Sequence, residues 1–168
     1  MKKPDYLILM STETMAAQAY TKAELIGLHT SSLAHGGKGW NRPGIDDLVL
    51  QDGSLQAIIP EGLPNEVDLW GISEGVNGLN GLARYLAYSG GRSEDMETNE
   101  DTRTEAQRET LETIVKYYVK RHPHLLVMGF DEVPNKKDAL NPGFEVAEWL
   151  EEIGIPDKNI YKKTSGKL

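Results

Sequence analysis

Apolar residues at Leu111, Ile114, Val115 and Tyr118 follow the i, i+3, i+4, i+7 spacing of an amphipathic helix. Thr104 and Gln107 form a capping box ahead of them, and His122-Pro123 stops the pattern, so a helix is predicted up to about Lys120. A second capping box, Thr21 with Glu24, starts a helix that turns Leu25, Ile26, Leu28 and His29 inward and ends near His35-Gly36-Gly37. A last helix is predicted from about Pro142 to Ile153, with Phe144, Ala147, Leu150 and Ile153 on its inner face. Between these lie short apolar runs that read as buried strands: Tyr6 to Met10, Arg84 to Tyr88 and Leu125 to Met128. Asp52-Gly53 marks a hairpin joining Ile45–Leu50 to Ser54–Ile59. This order predicts a single α/β domain, with a central mixed sheet flanked by helices. The domain takes the whole chain, 1–168, with a core to about 158 and a tail over 159–168. Ligands in such sheets sit where the chain leaves a strand end, which directs attention to Phe130, Asp131, Glu132 and Asn141.

Composition narrows the function classes. Charged residues are 26% and hydrophobic ones 39%, ordinary for a globular chain, and no run reaches the ~18 apolar residues of a membrane span. The apolar stretch behind Lys2-Lys3 is too short for a signal-peptide core, so synthesis in the cytoplasm without a cleaved signal is expected. With no cysteine, disulfides and thiolate metal sites are excluded. A net charge of −8 argues against nucleic acid as a partner. Residues 92–103 form an acidic surface segment with Glu94, Asp95, Glu97, Glu100 and Asp101, off the spacing of a calcium loop and a candidate partner contact. Gly36-Gly37-Lys38-Gly39 lacks phosphate-loop spacing, and the glycine-rich stretch 70–81 lacks the frame of a dinucleotide site. His29 reads as a packed, hydrogen-bonded histidine. Asp46 and Asp47 stand side by side, and one of them is expected at an exposed strand start or aimed into a cleft.

The order of several short pieces then carries a resemblance. Thr21-Lys22-Ala23-Glu24-Leu25 with His29, Gly39-Trp40, Pro43-Gly44, Gln51-Asp52-Gly53, Glu74-Gly75-Val76, Tyr88 to Gly91, Asp101-Thr102-Arg103-Thr104 and Pro142-Gly143-Phe144 occur in one sequence. Together they resemble the zinc-dependent type-2 N-acetylmuramoyl-L-alanine amidases, which include phage endolysins and peptidoglycan-recognition proteins. The resemblance implies a zinc ion held by two histidines and a cysteine or acid, with one position open. Here those positions read Leu9, Phe130 and Asn141. The tyrosine-histidine pair reads Ile45-Asp46, and the lysine before the third ligand reads Ala139. Zinc is therefore expected to be absent, and no cofactor is predicted.

These replacements predict an inactive amidase-like protein (a pseudoenzyme). The resemblance to phage lysins implies a structural or assembly role in a phage, prophage or contractile-injection particle, with other protein subunits as partners. The alternative is a peptidoglycan-fragment binder using Trp40, Asn80, Arg84 and Asp46, with Asp131 and Glu132 as further cleft candidates. A third reading is a hydrolase rebuilt on Asp46, Asp47, Asp131 or Glu132.

Overall fold

The protein is described from a computed structural model covering residues 3–18, 20–40, 42–66, 81–133 and 140–162. The apolar run at the start forms β1, Tyr6–Ser11, and the later one forms β8, Leu126–Gly129. Between them come β2 (Thr14–Met15), α1 (Lys22–Thr30), β3 (Asp47–Val49), β4 (Leu55–Ala57), β5 (Asn65–Glu66), β6 (Leu82–Tyr88), β7 (Gly91–Arg92) and α2 (Glu105–Arg121); α3 (Val146–Glu152) follows β8. Among the described residues the main sheet has six strands in the order β4-β3-β6-β1-β8, with β5 pairing onto β6. Strands β3, β6, β1 and β8 are parallel, whereas β4 and β5 are antiparallel, so the sheet is mixed as expected.

Both capping boxes form. Thr21 accepts from Glu24 N–H and Thr104 from Gln107 N–H, and each N3 side chain accepts from the cap N–H in return. Helix α2 buries Leu111, Ile114, Val115 and Tyr118 against one face of the sheet, where Leu7, Leu9, Leu86, Tyr88 and Val127 meet Trp149 and Leu150 of α3. The opposite face carries Ile8, Met10, Tyr85, Ala87 and Met128, which pack with Leu25 of α1, Ile45, Phe130 and Val133. Each aliphatic side chain so buried contributes about 1.5–3 kcal/mol. Asp52-Gly53 makes the expected turn: Gly53 has φ 85, and a Cβ there would press on Ala106 O at 2.9 Å.

Several expectations need correction. Helix α1 stops at Thr30, and residues Leu33–His35 form a separate 3-10 turn. Leu28 is 42% exposed instead of inward. Helix α3 starts at Val146, four residues after Pro142, because the carbonyl of Pro142 is taken by the Tyr88 hydroxyl at 2.6 Å and Gly143 has φ 97. At the start of the tail, Asn159 and Ile160 are buried. The Asn159 amide donates to Pro123 O and Leu125 O, and Ile160 bridges to Val127.

Candidate functional site

At the C-terminal ends of the parallel strands β1 and β8 lies a cleft of about 370 Å³. Its apolar lining comes from Met10, Ile45 and Phe130, and its aromatic walls from Tyr20 and Trp40. Ser11, Thr12, Glu13, His29 and Lys38 supply the polar groups. Trp40, Ile45 and Phe130 were read from the sequence; Met10, Glu13, Tyr20 and Lys38 were not. Glu13 has φ 57, a left-handed conformation, and its carboxylate accepts from the Asn99 amide at 3.0 Å.

Pairing register explains the largest departure. In a strand, neighbouring side chains take opposite faces. Leu9 therefore belongs to the core under α2 and α3, while Met10 shares the other face with Phe130. Leu9 and Phe130 do not meet; Met10 is the side chain in the cleft. Asn141 is buried close by: its Oδ1 accepts from Ser11 N–H at 2.8 Å, and its carbonyl accepts from Asp131 N–H at 2.8 Å.

Asp131 and Glu132 sit in the 3-10 turn Phe130–Glu132, outside the cleft lining. Glu132 Oε1 accepts from Gly129 N–H at 2.9 Å, so it closes that turn. Ala139 and Asn80 lie outside the described residues.

Arg84 and Asp46 are not cleft residues. Arg84 is 1% exposed and Asp46 fully buried, and Asp47 is 6% exposed, so neither acid starts an exposed strand. Arg84 lies 3.3 Å from Asp46 and 3.2 Å from Asp47, and donates to Ile59 O, Pro60 O and the Tyr118 hydroxyl. Tyr118 in turn donates to Asp47 Oδ2 at 2.9 Å, and Tyr85 N–H donates to Asp46 Oδ2 at 2.7 Å. Asp47 stands level with Gly129 in the register but three strands away, roughly 14 Å at ordinary strand spacing. Asp46 and Asp47 therefore do not converge with Asp131 and Glu132 into one acid–base site.

Burial pushes the Asp46 carboxyl up to about 7, although Arg84 pulls the other way. Burial works against the charge of Arg84 too, but Asp46, Tyr118 and Asp47 outweigh it and its pKa is raised. The native Asp46 carboxyl binds its proton more tightly than the unfolded chain does. Its stabilising contribution is thus complete below about pH 4 and is lost as pH rises through about 7. The isosteric, non-titrating Asp46→Asn variant should gain thermal stability relative to wild type over that interval, by roughly 2–4 °C for each kcal/mol. Parallel melting curves across the range test this; a constant difference between the two proteins would show that Asp46 does not titrate there.

His29 is 3% exposed, and burial, with Lys38 nearby, lowers its pKa to about 4. Its Nδ1 accepts from Gly44 N–H at 2.9 Å, so the neutral ring carries its proton on Nε2. Trp40 packs edge-on against this ring at 5.0 Å, with Lys38 Nζ 5.2 Å from the Trp40 centroid.

These residues do not fit a zinc ion. Phe130 has no lone pair, Met10 offers only a soft thioether, and His29 presents a protonated nitrogen once Nδ1 is engaged. Among the described residues no group of three His, Asp or Glu side chains is placed to hold a metal.

A mixed sheet with this helix arrangement and a cleft at its strand ends defines the type-2 amidase and peptidoglycan-recognition fold. The chain has that fold. It is shared with the Ph2119 endolysin from the Thermus scotoductus MAT2119 bacteriophage, at a TM-score of 0.62 and 21% identity over 92% of this chain and 87% of that one. The N-acetylmuramoyl-L-alanine amidase LysC from Clostridium intestinale URNW superposes with a TM-score of 0.63 and 16% identity, covering 92% and 88%. The Drosophila peptidoglycan recognition protein SA gives 0.64 and 11%, covering 97% and 84%. No protein-family model matches the sequence, and no curated protein does. Among the described residues no helix is long and apolar enough to cross a membrane.

Proposed function

We propose that this chain binds peptidoglycan fragments in the cleft without hydrolysing them. The observation that carries the reading is the convergence of Met10, Ile45 and Phe130 on a cleft that stays open. With Met10 taken as the counterpart of the first ligand, two donors of an amidase site are replaced by side chains that cannot serve a zinc ion in that role, and Ile45 stands where a tyrosine is expected. Apolar groups at these positions close a polar metal pocket and add packing. Tyr20 and Trp40 remain as aromatic walls for a sugar or peptide face, and Lys38 is a cation for a stem-peptide carboxylate. The shared fold, with its amidase and peptidoglycan-recognition members, supplies the ligand class.

Calorimetric titration with muramyl tripeptide and with its disaccharide form tests the reading. Saturable binding is expected, weakened about tenfold by Trp40→Ala, as for loss of ~1.4 kcal/mol of aromatic contact. Incubation with zinc and mass analysis of the peptide should show no cleavage at the lactyl–alanine amide. Cleavage by the wild-type chain, or no binding at millimolar ligand, overturns the proposal. A second reading, a subunit of a phage or phage-tail-like particle, rests on the fold shared with a phage endolysin and is compatible with the first.

A further inference from the structure

The acidic segment after β7 is a braced hairpin, not a loose loop. Arg92 and Asn99 bridge across it, Ser93 N–H donates to Thr98 O, and Thr98 N–H donates to Ser93 Oγ. Asp95 Oδ1 accepts from Glu97 N–H and from Ser93 Oγ–H. These bonds hold up a tip on which Met96, at φ 63, is 42% exposed. Glu94, Glu97 and Glu100 stand exposed around it, with no cation paired to them among the described residues.

At the far end of the molecule is a groove of about 440 Å³, between the last turns of α2 and residues 154–159. Val119, Pro123 and Ile155 form its apolar surface, and Lys116, Lys120 and Lys158 stand at its rim. Lys116 is held by Glu112 at 2.6 Å, and the carboxylate of Asp157 is taken by Lys162. Lys120 and Lys158 have no carboxylate partner among the described residues. On a chain of net charge −8, two such lysines beside an apolar floor are a local inversion of sign.

We propose that this groove receives the acidic hairpin of a second copy of the chain. Met96 enters among Val119, Pro123 and Ile155, while Glu94 and Glu97 meet Lys120 and Lys158. One molecule cannot satisfy itself. The hairpin follows the C-terminal end of β6, and Pro123 precedes the N-terminal end of β8, which runs parallel to the same central strand. The 17-residue α2 separates the two ends by about 25 Å. The contact is therefore heterologous and extends head to tail. Its braced hairpin reduces the ordering cost, and its small size makes the association weak and reversible. Net repulsion between acidic copies leaves it dependent on the local match and sensitive to salt.

Sedimentation velocity from micromolar to millimolar protein tests it. At about 0.02 M salt the average mass should rise with concentration, and about 0.3 M salt should suppress the rise. A groove variant, Lys120→Glu with Lys158→Glu, and a hairpin variant, Met96→Asp, should each remain monomeric, at least about tenfold weaker in self-association. Aspartate tolerates positive φ better than methionine, so the hairpin keeps its shape. Each variant retains one intact surface. Their equimolar mixture should therefore form two-chain complexes and nothing longer, which also shows that both are folded. Monomeric wild type at low salt, wild-type association by either variant alone, or failure of the mixture to pair overturns the proposal. If wild type stays monomeric while polyglutamate perturbs the amide resonances of the groove, the groove serves a different acidic partner and self-association is wrong.

Discussion

Arg84→Met lowers the unfolding free energy by about 3–5 kcal/mol, the typical consequence of removing one partner from a buried ion pair. The guanidinium is 1% exposed and is the shared partner of Asp46, Asp47, Tyr118 and two backbone carbonyls. Methionine fills much of the volume, so the loss is electrostatic more than steric. Asp47 and the carbonyls of Ile59 and Pro60 then sit in the interior without their cation, and Asp46 keeps the partly exposed Arg42, 3.8 Å away. The companion test neutralises the acids as well: Asp46→Asn and Asp47→Asn added to Arg84→Met should recover part of the loss. Chemical denaturation measures both proteins at one pH. A loss below about 1 kcal/mol for Arg84→Met, the range of an exposed pair, would mean that water replaces the guanidinium and the network is not closed.

Met10→His, Phe130→His and Asn141→Cys introduced together should create a zinc site, because Met10 and Phe130 line one cleft and Asn141 is held beside it by its bond to Ser11 N–H. Without metal the triple variant should unfold several kcal/mol more easily, since two histidines then replace apolar packing. Zinc at about 1,000 times its dissociation constant would restore roughly 4 kcal/mol. The matched control carries Leu9→His in place of Met10→His. It should bind no zinc with the other two substitutions, because Leu9 belongs to the core on the far face of the sheet. Calorimetric titration alongside thermal unfolding separates the outcomes. Equal zinc affinity in both variants would show that the face assignment of β1 is wrong. Hydrolysis should stay poor even in the metal-bound variant. Ile45 lines the cleft where a hydrogen-bond donor to the oxyanion is needed, and one such donor typically accounts for ~10²–10³ in rate.

The parts legible in the sequence were those governed by short-range chemistry. Thr21 with Glu24, Thr104 with Gln107, the Asp52-Gly53 turn and the stripe on α2 each depend on residues within a few positions of one another, and each forms as read. The parallel core of the sheet was legible as strands, because it is made of continuous apolar runs. The same continuity hid which face each residue takes. Leu7, Ile8, Leu9 and Met10 are all apolar because β1 is covered on both sides, so no alternation distinguishes Leu9 from Met10. Only pairing with β6 and β8 and packing against α1 and α2 assign them. Asp46 and Asp47 were obscure for a related reason. An acid pair reads as exposed until its cation is known, and Arg84 and Tyr118 come 37 and 71 residues after Asp47 in the chain. Tertiary structure decided their burial because only the sheet and α2 together bring a guanidinium, a phenol and two carbonyls into a space from which water is excluded.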